Sequence, residues 1–199
     1  MADNLSFDKL FKVLSNKKFY SIEGGAGEIP FFIYSYDISE QSNIYKKINM
    51  LYRKLNTNGI PVLLIGLYDM VIEYFNKTGE LKDLFEFEKS VSKKEFLKEL
   101  AGTINAEDVI RPYFLEKMQE AQPKLILVYK VGEVFPFLRT HNILNYLQNT
   151  IKNTPLIVFF PGKYVTSYDE GFYLKLFGIF NGPYYRAFRL EDYIVRGDL

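Results

Sequence analysis

The chain has 199 residues, 48% of them hydrophobic and 25% charged, a globular composition long enough for one sizeable core and short for two. Lys+Arg 25 against Asp+Glu 24 leaves a formal charge of +1, so no strong overall field draws the chain onto nucleic acid or an anionic membrane. With no cysteine and a single histidine, disulfides, thiolate nucleophiles, Cys-based metal centres and His-rich metal sites are excluded.

The N-terminus, Met1 to Asp8, is acidic and lacks the basic stretch and apolar core of a secretory signal. The longest apolar run, Ile60 to Tyr68, falls far short of the roughly 20 residues that span a bilayer. The expectation is a soluble cytoplasmic protein.

A first helix is predicted from about Ser6 to Leu14. The loop Gly24-Gly25-Ala26-Gly27 and Pro30 then lead into Phe31 to Tyr36, an aromatic and β-branched run that reads as a buried strand. From Ser39 the period changes. Ile44, Ile48, Leu51 and Leu55 recur at helical spacing, with Gly59 as the stop signal. A second strand is predicted over Pro61 to Gly66, then a short helix through Val71, Ile72 and Phe75.

The block from about Glu80 to Ala121 is dense in Glu and Lys and has no strand signal, so it reads as a helical insertion or subdomain of two to three helices. Leu125 to Tyr129 reads as the third strand and Leu156 to Phe160 as the fourth. Between them a helix is predicted to start near Pro136 and to run through Ile143, Leu144, Leu147 and Ile151. A last strand is expected over Tyr185 to Leu190, after the turn Asn181-Gly182-Pro183. Continuous apolar strands separated by helices describe a parallel sheet covered on both faces. The predicted fold is a single three-layer α/β domain, Rossmann-like or degenerate P-loop-like, with about five strands.

In such a sheet ligands sit beyond the carboxyl ends of the strands. Gly24 to Gly27 precedes a strand, whereas a phosphate-cradling loop follows one and opens a helix. Pro161-Gly162-Lys163-Tyr164 follows a strand but lacks the upstream glycine, and has Tyr164 where Ser or Thr would hold magnesium. Past the third strand stands one acid, Glu133, where an NTPase would carry metal-binding acids; a helix-entry role is the simpler reading of it. His141 lies at the boundary of its helix's apolar arc, where an imidazole ordinarily packs its ring. No cofactor is implied.

The helix around His141 has no formal charge between Arg139 and Lys152, and its polar positions are Asn142, Asn145, Gln148 and Asn149. A solvated face ordinarily carries Lys and Glu, which favour helix more than Asn does. Amides suit an interface, because they hydrogen-bond without the desolvation cost of a charge. A helix sandwiched inside the domain is the competing reading. Tyr164, Phe177, Tyr184, Tyr185 and neighbouring aromatics also suit an interface, or stacking with Lys163, Arg186 and Arg189 around nucleic acid. Asp169, Glu170, Glu191 and Asp192 among them weigh against nucleic acid.

The run Gly132-Glu133-Val134-Phe135-Pro136-Phe137-Leu138-Arg139-Thr140-His141-Asn142-Ile143-Leu144 resembles the signature of the BrxB family of BREX phage-defence systems. Ile29 to Phe32, Phe159 to Gly162 and Tyr184 to Phe188 extend the resemblance across most of the chain. It implies a bacterial or archaeal cytoplasmic accessory subunit without catalytic residues. Its likeliest partner would be the alkaline-phosphatase-like PglZ component, with the system's methyltransferase and large ATPase as further partners. On this reading the contact surface comprises Glu133, Arg139, His141, Asn142, Asn145, Gln148, Asn149 and Arg186.

Overall fold

In the computed structural model, which describes residues 6–21, 31–167, 171–182 and 187–195, the two hydrophobic periods set the two kinds of element. Helices α1 (Phe7–Leu14) and α2 (Lys17–Tyr20) open the chain. Ser6 caps α1 by accepting from the Lys9 N–H at 3.4 Å. Strand β1 (Phe31–Tyr36) and, after a 3-10 turn, helix α3 (Gln41–Thr57) follow. Ile44, Ile48, Leu51 and Leu55 are the buried stripe of α3, and Gly59, at φ 76°, takes the left-handed turn beyond it.

Next come β2 (Val62–Gly66), α4 (Leu67–Thr78), α5 (Leu81–Ser90) and α6 (Lys93–Thr103), the last opened by a Ser92/Glu95 capping box. A π-helical turn, Ala106–Ile110, leads into α7 (Arg111–Ala121). The charges of this block are partly structural. Glu73 on α4 accepts from Tyr113 at 2.8 Å and pairs with Lys117 at 3.0 Å, tying α4 to α7. Burial pushes the Glu73 carboxyl up, but those two donors and the nearby Lys77 outweigh it and hold the pKa below its ordinary value.

Strand β3 (Leu125–Tyr129), helix α8 (Thr140–Thr150) and strand β4 (Leu156–Ser167) complete the frame. The sheet order is β2-β3-β4-β1-β7, with β7 being Phe188–Arg189, and the pairings along it are parallel. Helices α3, α1 and α2 cover one face through a cluster with Phe32, Tyr34 and Phe159. Helices α4, α6, α7 and α8 cover the other through a cluster with Phe31, Ile33 and Phe160. Every residue of β3 is buried, as two-sided cover requires.

Three expectations are corrected. Residues 131–138 form turns that sink Val131, Val134 and Leu138 into the core, so α8 starts at Thr140 rather than near Pro136. Pro161 to Tyr164 is not a loop. β4 runs through it and leaves the parallel sheet to pair antiparallel with β5 (Gly171–Leu176), which pairs in turn with β6 (Phe180–Asn181). The final strand is shorter than expected among the described residues, because Leu190 already opens α9 (Leu190–Val195). Residues 183–186, and Gly24 to Gly27 with them, lie outside the described set.

The switch of β4 from one sheet to the other depends on a close backbone approach. A Cβ on Gly162 would fall inside contact distance of the Lys175 carbonyl oxygen and crowd the Phe160 ring. Gly162→Ala is expected to cost roughly 1–3 kcal/mol through that overpacking. By contrast Gly102, exposed in α6 with nothing within 4 Å of its would-be Cβ, should gain about 0.5 kcal/mol as alanine. Urea unfolding of the two variants should therefore shift in opposite directions, and a stabilised Gly162→Ala would remove the close approach from the account.

Candidate functional site

The strand order places the switch point between β1 and β4, whose following chains leave in opposite directions. A cavity of about 380 Å³ opens there, lined by Asp37, Lys163, Tyr164, Phe177 and Arg189. Two of its charges, Asp37 and Arg189, have partners within the chain. Asp37 accepts from the Ser39 N–H and hydroxyl at 2.9 and 2.6 Å, which holds its carboxyl below the usual range. Arg189 pairs with Glu191 at 3.4 Å and Asp192 at 3.7 Å. Where a phosphate-binding fold would present a glycine loop and a helix N-terminus, this chain presents Asp37 and Glu40, and a phosphate there would meet like charge.

The neighbouring strand ends carry two clusters that spacing alone did not reveal. Lys130, in the left-handed region at φ 59°, pairs with Asp69 at 2.6 Å, and the Tyr129 hydroxyl donates to the same carboxylate at 3.3 Å. Burial pulls the Lys130 ammonium down, but Asp69 more than offsets this and its pKa stands above the ordinary lysine value. On the α3 side the Tyr36 and Tyr45 hydroxyls sit together beside Glu133. Burial pushes Tyr36 up to about 12, its contact with Tyr45 opposes the rise and Glu133 adds to it. Burial first, then Tyr36 and Glu133, also raise Tyr45.

Glu133 itself accepts from the Gln41 amide at 3.5 Å. It thus faces α3, whereas α8 packs against the opposite face of the sheet. It belongs to the turns that precede α8, well before the helix entry that the sequence suggested. Among the described residues no group of three or more His, Cys, Asp or Glu is arranged to hold a metal ion, and no helix is long and apolar enough to cross a membrane.

The α8 candidates divide. Thr140, Ile143, Leu144, Leu147 and Gln148 are buried, and Asn142, Asn145 and Asn149 are exposed. Gln148, at 7% exposure, does not share the outer face that its amide side chain suggested. At about 100° per residue it lies only about 40° from Leu144, while the three asparagines lie about 100° or more away. Tyr146, 43% exposed, takes a place on the outer face. Asn142, Asn145, Tyr146 and Asn149 follow i, i+3, i+4, i+7 spacing and form one continuous uncharged stripe. The sequence had the signal for this, an aromatic at helical spacing from the amides.

Arg139 is the exposed N-cap residue of α8 and provides no side-chain cap. It and half-buried His141 line a second cavity of about 220 Å³, walled by Phe135, Phe160, Leu176 and Phe180. Arg186 lies outside the described residues.

Comparison with known proteins adds a family to this geometry. The sequence matches the BrxB family, described as BREX protein BrxB, over residues 63–190. A BREX protein BrxB of Bacillus cereus (strain H3081.97) is 30% identical over 195 residues, covering 95% of this chain and 97% of that protein. A BREX protein BrxB of Escherichia coli O9:H4 (strain HS) is 26% identical over 178 residues, covering 89% and 86%. No solved structure matches the chain.

Burial, and then the Arg139 charge, hold the His141 pKa below its ordinary value. As pH falls, an unfolded histidine takes its proton near 6.5 while the folded one still resists. His141 therefore withdraws stability as the pH drops from about 6.5 toward its lower folded value. Between about pH 7.5 and 5.5 the melting temperature should fall less in His141→Gln than in wild type. Equal falls would put the ring in ordinary solvent.

Proposed function

The chain belongs to the BrxB family of BREX proteins, and we propose that it acts there, in anti-phage defence, as a non-catalytic adaptor that holds the PglZ-type component through the outer face of α8. The observation that carries this reading is the exposed, uncharged stripe of Asn142, Asn145, Tyr146 and Asn149. The amides bond to a partner without desolvating a charge, and the tyrosine offers a large contact area at low entropy cost. The absence of charge along that stripe supports a protein partner over nucleic acid, whose phosphates need several unpaired cations. Arg189 already has its own acids, and Lys163 stands beside Asp37.

The test is co-expression with the PglZ-type protein and size-exclusion chromatography with light scattering at two salt concentrations. Wild type should co-elute at defined stoichiometry. Asn145→Lys and Asn149→Lys should abolish co-elution with stability held within about 0.5 kcal/mol, as exposed substitutions do. Gln148→Lys is the internal contrast. It puts an ammonium into the packed side of α8 and should cost roughly 2 kcal/mol or more. Separate elution of wild type would sink the adaptor reading.

A further inference from the structure

The adaptor reading names a face but not what the partner brings to it. The 220 Å³ cavity at the start of α8 speaks to that. It lies between the helix's first turn and the β5–β6 hairpin, with Phe160, Leu174 and Leu176 buried beneath it. Phe135 and Phe180 form a wall, their ring centroids 5.0 Å apart. At the hairpin tip Ile179 is 70% exposed and Phe180 47%, so adjacent large apolar side chains stand in water beside an apolar recess.

The rim has the opposite character. Arg139 occupies the N-cap position, where Ser, Thr, Asp or Asn would satisfy the free amides. The first turn of α8 has no acid, although the positive end of a helix favours one. Among the described residues Arg139 makes no ion pair. A cation and a positive helix end therefore reinforce each other at the mouth of an apolar pocket, and the charge that complements both is a carboxylate. Arg139 is also three residues before Asn142, so the pocket continues the uncharged stripe.

We infer that this pocket is an anchor socket for a partner-protein segment that inserts one bulky apolar side chain and sets a carboxylate against Arg139. The size supports an anchor over a whole small molecule, since sites for the latter run about 300–1,000 Å³. An aromatic-walled recess with an arginine at its edge is also the composition of an interface hot spot.

The inference rests on the adaptor reading and is tested with the same PglZ-type protein, by calorimetry. Phe180→Ser and Arg139→Glu should each weaken binding about tenfold or more, and Arg139→Lys by no more than about threefold. Arg139→Glu should at the same time raise the melting temperature slightly, because an acid suits the helix N-terminus. Loss of binding in a more stable protein is not what misfolding produces. If wild type binds and Asn145→Lys loses binding while Arg139→Glu and Phe180→Ser bind as wild type does, the socket is wrong and the adaptor stands. If wild type does not bind, both fall. The chain's own α5 exposes Phe85 beside Glu86 and Glu88, so light scattering of the protein alone completes the test. Self-association that Arg139→Glu abolishes would make the occupant a second copy and overturn the partner assignment.

Discussion

One strand belongs to two sheets, and the outer architecture follows from that. In its first half β4 is the centre of a parallel sheet, with Leu156, Ile157 and Phe159 fully buried between two helical layers. Such a strand has no edge to spare and ordinarily ends in a loop at the ligand side of the sheet. Here it continues, and at Gly162 the backbone comes so close to Lys175 that only a residue without a side chain fits. Beyond that point it pairs with β5 in the antiparallel sense. The hairpin this creates stands over the start of α8, so a pocket exists where strand ends and helix start would otherwise lie open to solvent.

The electrostatics of the strand ends follow the same economy. An α/β sheet that binds phosphate leaves amides and cations unpaired at this edge. Here Lys130 pairs with Asp69, Asp37 with Ser39, and Arg189 with Glu191 and Asp192. Tyr36 and Tyr45, both with raised pKa values, fill the space beside Glu133 with neutral hydroxyls. An incoming anion would have to draw Lys130 or Arg189 away from the acids they already hold. Arg139 is different: among the described residues it makes no ion pair, and its charge adds to burial in holding the His141 pKa down.

How legible this was in the sequence varied with the range of the interaction. β1 and β3, and the buried stripe of α3, stood where hydrophobic period and breakers put them, because two-sided burial writes itself directly into residue type. The start of α8 did not, since Pro136 reads as a helix-opening proline, whereas it lies among turns anchored by Val131, Val134 and Leu138. Gln148 was misassigned by its chemistry although its angular position was readable, a case of geometry outranking polarity. The Asp69–Lys130 and Glu73–Lys117 pairs span dozens of residues, and no local pattern encodes them. The hairpin was missed because Pro161-Gly162 reads as a breaker, and its role as a crossing between sheets appears only once Lys175 lies opposite.

The outer face of α8 has a composition that water alone does not favour. Its outer face uses three asparagines where lysine or glutamate would favour the helix, a sacrifice of order 1 kcal/mol in propensity. Its N-cap is an arginine that makes no cap, where a serine or aspartate would add about 1 kcal/mol. Against a total stability of about 5–15 kcal/mol, that is a sizeable fraction. In water none of these choices is repaid, because lysine and glutamate are better solvated and form i,i+4 pairs. Under a partner the ranking reverses. A buried amide needs only hydrogen bonds, a buried ammonium without a counter-charge costs several kcal/mol, and an arginine at a helix N-terminus becomes favourable once a carboxylate meets it. On the proposed adaptor reading, the composition of α8 is that of a helix whose stability is greater bound than free.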